Sequence, residues 1–177
     1  MTRDQLEHAI RAACDVAEDN EVWVFGSQAI LGEFPDAPED LRTSIEVDMQ
    51  PKNRPDKADL VDGALGELSP FYESNGFYVR GLLIDGAAFP RGWERRAKPV
   101  VDEISTRGKI GWCVEAHDLA ASKLAAYREK DRDFVRTLLI EGMIAPKTLI
   151  ERINSLNIDK DLRERLLQWI QNTIEEL

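Results

Sequence analysis

Two carboxylates separated by one apolar residue are the feature of this 177-residue chain that points most directly to chemistry. Glu46 and Asp48 lie in residues 44–49, where polar and apolar side chains alternate. Because successive side chains of a β-strand point to opposite faces, this alternation predicts a strand with both carboxylates on one face. A divalent cation relieves the repulsion between two such charges, and oxygen ligands favour Mg²⁺ or Mn²⁺. The alternative is a solvent-facing strand with two ordinary surface charges.

A Gly-Ser pair follows a short strand earlier in the chain. Residues 21–25 are mostly apolar and predict a buried strand that Gly26 and Ser27 end, and a short helix is expected from Gln28. Glycine allows backbone N–H groups to approach a phosphate, and a helix N-terminus favours anions. The serine hydroxyl adds a further donor. A plain strand-to-helix turn is the alternative.

Three cations, Lys123, Arg128 and Lys130, lie within or just after a helical stretch. Asp118 is expected to cap a helix that ends near Arg128, and a further helix is predicted from Asp131. On an ideal helix Lys123 and Arg128 diverge by more than one face, so they would bind different phosphates only near the helix end. A surface lysine is the alternative for Lys123, and an N-cap is the favoured role of Asp131.

The elements that must position these residues form a strand-containing part followed by helices. We predict helices at 2–18 and 57–74, strands at 21–25, 44–49, 77–84, 100–104 and 110–114, and then helices at 118–128, 131–141, 146–155 and 159–177. This order predicts an α/β (α+β) fold with a small mixed β-sheet and flanking helices. The chain then divides into an α/β core, residues 1–115, and a helical C-terminal lobe, residues 116–177, packed on it.

Composition is that of a globular protein without membrane spans. Apolar residues make up 43% of the chain and charged residues 32%, and no apolar run is long enough to cross a bilayer. The two cysteines, Cys14 and Cys113, suit the core of a cytoplasmic protein, and Trp23 and Trp112 are also expected in the core. The net charge of −10 argues against a protein that coats nucleic acid, although residues 91–136 hold 11 Lys and Arg against 8 Asp and Glu.

Together the Gly-Ser turn and the acidic strand resemble the active-site signature of the nucleotidyltransferase superfamily, which has the DNA-polymerase-β-like fold. The matching segments are Val24-Phe25-Gly26-Ser27 and Glu46-Val47-Asp48-Met49. The resemblance implies a sheet of the nucleotidyltransferase type in which Gly26 and Ser27 hold the phosphates of a nucleoside triphosphate. It also implies that Glu46 and Asp48 bind catalytic Mg²⁺ or Mn²⁺ while a nucleoside monophosphate is transferred to an acceptor hydroxyl.

A second stretch, residues 117–133, narrows this resemblance. From Lys123 to Asp131 it reads Lys-Leu-x-x-x-Arg-x-Lys-Asp, which is similar to a helix of AbiEii-like nucleotidyltransferases. That group includes toxins of bacterial toxin–antitoxin and phage-defence systems, and residues 89–96 resemble a loop of its small members. The likeness implies that Lys123 is catalytic and binds the triphosphate beside Arg128 and Lys130. It further implies a tRNA end or a protein hydroxyl as acceptor, and a cognate antitoxin or operon partner.

The third carboxylate departs from the family's pattern. Active members usually carry an acid on the next strand, but that strand here reads Tyr78-Val79-Arg80-Gly81. Asp85, which follows it, is the only candidate for the third carboxylate that would bind metal and take part in catalysis by deprotonating or orienting the acceptor hydroxyl. The departure leaves a second hypothesis open, a catalytically inactive nucleotidyltransferase fold that binds a nucleotide or a protein. Trp93, between two loop arginines, either stacks on a base or fixes its own loop.

Overall fold

The computed structural model describes all residues, Met1–Leu177, and the chain separates into two compact units. Unit 1 comprises Met1–Ile84 and Ala97–Glu115, and unit 2 comprises Asp85–Arg96 and Ala116–Leu177. The observed division differs from the predicted one at residues 85–96, which cluster with the helical part of the chain.

Unit 1 contains a five-stranded mixed sheet. In chain order its elements are α1 (Arg3–Ala17), β1 (Glu21–Phe25), β2 (Glu46–Pro51), α2 (Ala58–Leu65), α3 (Pro70–Asn75), β3 (Tyr78–Gly81), β4 (Lys98–Val100) and β5 (Ile110–Cys113). The strand order is β3-β2-β1-β5-β4, with β1 antiparallel to β2, β4 antiparallel to β5, and the β2–β3 and β1–β5 pairs parallel. This architecture confirms the predicted α/β class with a mixed sheet and flanking helices.

One face of the sheet forms the core of unit 1. Its buried side chains include Val22, Val24, Val47, Met49 and Val79. Helices α1 and α2 pack on the sheet, and the fit is close enough that a Cβ added at Gly111 would overlap the side chain of Ile10 in α1. Because side chains alternate along a strand, Glu46 and Asp48 lie on the opposite face, which we call the acid face.

The predicted helix 57–74 is wrong in one respect, because two helices occupy this range. Helix α2 ends at Leu65, and α3 begins after four intervening residues, with Pro70 in its first turn. The Ser69 side chain caps α3 by accepting a hydrogen bond from the backbone N–H of Tyr72. Leu68 between them has a φ of 66°, a left-handed conformation that interrupts a right-handed helix. The apolar periodicity is therefore continuous while the backbone is not.

Unit 2 is helical. Its elements are α4 (Trp93–Arg96), α5 (Ala116–Ala126), α6 (Glu129–Ile140), α7 (Pro146–Asn154) and α8 (Lys160–Glu176). Helix α5 contacts α6, α7 and α8, and the fully buried leucines of these helices form the core of the unit. The four predicted C-terminal helices are present with boundaries shifted by one or two residues. In the whole chain, no helix combines the length and apolar character that a membrane crossing needs.

Candidate functional site

The two carboxylates of β2 share the acid face of the sheet, as the alternation predicts. Glu46 and Asp48 are half-buried, whereas the intervening Val47 is 1% exposed and Met49 is fully buried on the core face. Two positions along a strand correspond to roughly 7 Å between Cα atoms, so the carboxylates are close enough to bind one ligand together. The face that carries them is not sealed into the core of unit 1.

The Gly-Ser turn adjoins the second of these carboxylates. Strand β1 pairs antiparallel with β2 so that Phe25 lies opposite Asp48, and Gly26 follows directly. A Cβ at Gly26 would overlap Oδ2 of Asp48 and lie 3.1 Å from its Cγ. Gly26 also has φ 69° and ψ −172°, a region that only glycine adopts without strain. Both the backbone and the neighbouring carboxylate therefore require glycine at this position.

Ser27 opens a six-residue 3-10 helix, Ser27–Gly32, rather than an α-helix. Such a short helix has little macrodipole, so the expectation that a helix N-terminus attracts the phosphates has no support here. What Ser27 offers is its hydroxyl and the backbone of the turn beside Asp48. The predicted phosphate role of Gly26 and Ser27 therefore depends on close approach of a ligand to the turn.

Glu46 has two partners on the neighbouring strand. The Tyr78 hydroxyl donates a hydrogen bond of 2.8 Å to Oε2 of Glu46, and Arg80 Nη1 lies 3.9 Å from Oε1. The hydrogen bond to Glu46, together with burial, raises the pKa of Tyr78 to about 12. In the parallel β2–β3 register Tyr78 lies beside Glu46 and Arg80 beside Asp48. Strand β3 thus presents a phenol and a guanidinium, and no carboxylate, beside the two acids of β2.

The predicted third ligand, Asp85, belongs to unit 2, outside the strand. It lies in a short 3-10 helix, Ile84–Gly86, and is exposed to solvent. Its predicted roles as metal ligand and catalytic carboxylate remain predictions.

The donor chemistry of the acid face suits Mg²⁺, which prefers oxygen ligands. The structure contains no group of three or more His, Cys, Asp or Glu side chains arranged to hold an ion. Glu46 and Asp48 supply two carboxylates on one face, and Mg²⁺ is commonly held by one or two carboxylates together with substrate phosphates. The residues present therefore fit an ion whose remaining ligands come from the triphosphate and water.

Two of the three cations predicted to bind phosphate, Lys123 and Arg128, pair with the buried carboxylate of Asp131 within unit 2. Lys123 Nζ lies 3.2 Å from Oδ1 of Asp131, and Arg128 Nε lies 2.6 Å from Oδ2. Lys123 also lies 4.5 Å from the ring centre of Phe134. Burial raises the pKa of Asp131, but the hydrogen bonds and charges of Arg128 and Lys123 outweigh that effect and place it below its ordinary value. Lys130 is exposed in the first turn of α6.

Two expectations about this helical region are wrong. Asp131 is not the N-cap, because Arg128 occupies that position and Asp131 lies inside α6 with its carboxylate buried. Lys123 and Arg128 do not diverge, because α5 ends at Ala126 and Tyr127 takes a left-handed φ of 53°. That turn brings both cations to one carboxylate. Their assignment to a nucleotide remains a prediction beside this observed role.

A second buried carboxylate, that of Asp118, was expected only as a helix cap. Asp118 is completely buried inside the first turn of α5 and does not act as a helix cap. Arg96 donates to both of its oxygens, at 2.8 and 2.9 Å, and Arg152 Nε lies 3.0 Å from Oδ1. This contact ties residues 85–96 to the helices of unit 2. The clustering of arginines at 91–96 was the only sequence signal for it.

Two tryptophans that were expected in the core lie outside it. Trp23 and Trp112 are register partners in β1 and β5 and are half-buried on the acid face, so their expected place in the core is wrong. Trp112 Nε1 donates a hydrogen bond of 2.7 Å to Oε1 of Glu21. Cys14 and Cys113 are buried and free, as expected of core cysteines.

The loop tryptophan packs on its own segment. The ring centres of Trp93 and Phe89 are 4.8 Å apart in unit 2, with the planes tilted by 33°. This contact gives Trp93 a part in fixing the loop, one of its two predicted roles. Stacking on a nucleobase remains a prediction.

Comparison of the chain with protein-family models, curated proteins and solved structures finds no match.

Proposed function

We propose that unit 1 binds a nucleoside triphosphate with Mg²⁺ and transfers the nucleoside monophosphate to a hydroxyl acceptor. One observation carries the proposal, the placement of the Asp48 carboxylate against Gly26, beside the Ser27 turn and on the same face as Glu46. A phosphate-approach turn beside two oxygen ligands on an accessible sheet face is the arrangement that such chemistry requires.

The proposed role of each residue follows from its position on the acid face. The Ser27 hydroxyl and the turn backbone bind phosphate oxygens, because Gly26 leaves no side chain in their way. Glu46 and Asp48 hold the Mg²⁺ that accompanies the triphosphate, and that ion, when bound, neutralises charge on the phosphates. The acceptor oxygen then attacks the α-phosphorus in line and pyrophosphate leaves.

Charge distribution favours a compact acceptor over a long nucleic acid. Unit 2 holds 13 Lys and Arg and 13 Asp and Glu, so unit 1 carries the whole net charge of −10. Nucleic-acid affinity depends mainly on contacts between cations and phosphates, which an acidic unit provides poorly. Of the two acceptors that the family resemblance implies, a protein hydroxyl therefore suits unit 1 better than a tRNA end.

A second candidate function is nucleotide binding without turnover. Arg80 lies beside Asp48 in the strand register, where an active family member would have an acid, and Tyr78 engages Glu46. Strand β3 carries no carboxylate that could orient the hydroxyl of an external acceptor. Under this alternative the acid face binds a nucleotide as a signal or as a structural ligand.

Calorimetry and label transfer separate the two candidates. Wild type, Asp48→Asn and the control Asp59→Asn, an exposed residue of α2, are titrated with ATP, GTP, CTP and UTP with and without Mg²⁺. Label transfer from α-phosphate-labelled nucleotides is measured with bulk tRNA, added protein and the chain itself as acceptors. Mg²⁺-dependent binding that Asp48→Asn abolishes, together with transfer, supports the enzyme. Binding without transfer supports the second candidate, and binding to none of the four nucleotides contradicts both.

A further inference from the structure

Three adjacent strands place the parts of an in-line transfer in order across the acid face. In the order β3-β2-β1, β2 carries the carboxylates in the middle and β1 leads into the Gly26-Ser27 turn on one side. On the other side β3 carries Tyr78 and Arg80 beside the carboxylates. With neighbouring strands about 4.8 Å apart, the turn and β3 flank the acid pair from opposite sides.

This order, with the acid pair between the turn and β3, suits an in-line displacement. The attacking oxygen and the leaving pyrophosphate lie on opposite sides of the α-phosphorus. If the Ser27 turn holds the outer phosphates, the α-phosphate lies over Glu46 and Asp48, and attack comes from the β3 side. The hydroxyl group that β3 presents there belongs to Tyr78.

Tyr78 is also next to a base. Its Oη donates a hydrogen bond of 2.8 Å to Oε2 of Glu46, within the distance at which a carboxylate can accept a proton from a nucleophile. The side chain is half-buried rather than sealed in the core, and it lies on the acid face. A nucleophile, a base and a phosphate-approach turn are thus arranged on consecutive strands of one unit.

We propose that Tyr78 is the acceptor hydroxyl of its own chain, so that the protein nucleotidylates itself at this residue. The inference rests on the proposed nucleotidyl transfer and names its acceptor. It gives a role to the residue found on β3 where the family's pattern has an acid. The nucleophile comes from the strand itself, so no third carboxylate is needed to position an external acceptor.

The reaction balances without a further reagent. Tyr78 Oη forms a bond to the α-phosphorus of the nucleoside triphosphate, and its proton passes to the Glu46 carboxylate. The bond between the α-phosphorus and the bridging oxygen to the β-phosphorus breaks, and that oxygen leaves with pyrophosphate. The product is a tyrosine phosphodiester that carries one nucleoside monophosphate.

The other two tyrosines provide internal controls. Tyr72 is the nearest comparison, since its ring centre lies 5.3 Å from that of Tyr78, but it has no hydrogen bond to a carboxylate. Tyr127 belongs to unit 2, where Arg132 and Arg165 lie 4.7 and 5.7 Å from its ring centre. No lysine or arginine separates Tyr72 from Tyr78, so the chain is cleaved after Glu73 with a glutamate-specific protease, which places each of the three tyrosines on its own peptide.

The test is intact-mass and peptide mass spectrometry of the full chain. The protein is measured as isolated, since modification in the host counts as label, and then after incubation with each of the four nucleoside triphosphates and Mg²⁺. Tyr78→Phe, Glu46→Gln and the matched control Tyr72→Phe are treated in parallel, and circular dichroism establishes that each is folded. Labelling is followed over a range of protein concentrations.

The expected result is one nucleoside monophosphate on the peptide that contains Tyr78, absent from Tyr78→Phe and unchanged in Tyr72→Phe. At saturating nucleotide and Mg²⁺, Glu46→Gln should reduce the labelling rate constant by about 100-fold or more, the usual contribution of a positioned base. The rate constant should not depend on protein concentration, because base and nucleophile belong to one chain. Label on another residue, or second-order labelling, overturns the proposal.

Two different results separate a wrong acceptor residue from a wrong proposed function. If wild type binds a nucleotide with Mg²⁺ and Asp48→Asn does not, but Tyr78 carries no label, the nucleotide site stands and Tyr78 is not the acceptor. If wild type binds no nucleotide and carries no label, the proposed function itself is wrong and this inference fails with it.

Discussion

Two pairs of carboxylates in this molecule have opposite surroundings. In unit 2, Asp118 and Asp131 are completely buried, and each faces two cations. In unit 1, Glu46 remains one-third exposed and shares an accessible sheet face with a second carboxylate, Asp48. Removing a buried carboxylate that cations enclose leaves those cations unpaired and destabilises the fold, whereas two carboxylates on a partly exposed face can share a divalent cation. The residue type alone does not distinguish these roles.

The largest expected effect is on the stability of unit 2. Asp118→Ala should lower the free energy of unfolding by about 3–5 kcal/mol, because Arg96 and Arg152 would lose the buried charge that they share. Urea denaturation measures this loss. Asp133→Asn, an exposed carboxylate of α6, is the control and should change stability by less than about 0.5 kcal/mol. Equal, small effects of the two substitutions would contradict the stabilising role given to Asp118.

The Asp131 cluster should show its contribution through pH. The pKa of Asp131 is below its ordinary value because Arg128 and Lys123 outweigh the effect of burial. Its ion pairs therefore add stability that is fully present above about pH 4 and is lost as the pH falls through the lowered pKa. Asp131→Asn should cost about 3 kcal/mol near neutral pH, and the difference from wild type should shrink in acid.

Denaturation curves of both proteins between pH 2 and pH 7 measure this difference, with Asp133→Asn again as control. A difference that stays constant over the whole range, or grows in acid, contradicts the role given to Asp131.

A glycine pair tests the geometry of the acid face. Gly26→Ala should cost about 1–3 kcal/mol of stability, since alanine is strained at this φ and ψ and its Cβ would overlap Asp48. It should also abolish nucleotide binding. Gly63→Ala, within α2 where an added Cβ meets nothing, should instead stabilise the protein by about 0.5–1 kcal/mol. Thermal unfolding and calorimetry of both variants are the measurements, and loss of binding in both would count against the site.

Among the carboxylates given a role here, Glu46 should contribute least to stability. Glu46→Gln keeps an oxygen that accepts from Tyr78 and removes the repulsion with Asp48, so the free energy of unfolding should change by less than about 1 kcal/mol. Affinity for a nucleotide with Mg²⁺ should nevertheless fall by about tenfold or more, because a charged ligand contact worth roughly 1.5–3 kcal/mol is lost. Denaturation and calorimetry on the same preparation show whether stability and binding separate. A variant that loses stability but binds normally would place Glu46 with the structural carboxylates.

Features that depend on the local sequence could be predicted, whereas features that depend on contacts between distant residues could not. Period-two alternation placed Glu46 and Asp48 on one face, because that depends on the strand alone. The register that sets Gly26 against Asp48 depends on the pairing of β1 with β2, which no local pattern encodes. The enclosure of Asp118 by Arg96 and Arg152 joins residues distant in the chain, and only the structure brings them together.

The central claim is that the acid face of unit 1 binds a nucleoside triphosphate with Mg²⁺. Calorimetric titration of the wild-type chain and of Asp48→Asn, with and without Mg²⁺, tests it most directly. We expect wild type to bind at least one of the four nucleotides in the presence of Mg²⁺ only, and a folded Asp48→Asn variant to lose this binding. Binding that Asp48→Asn leaves unchanged, or no binding by wild type, would contradict it.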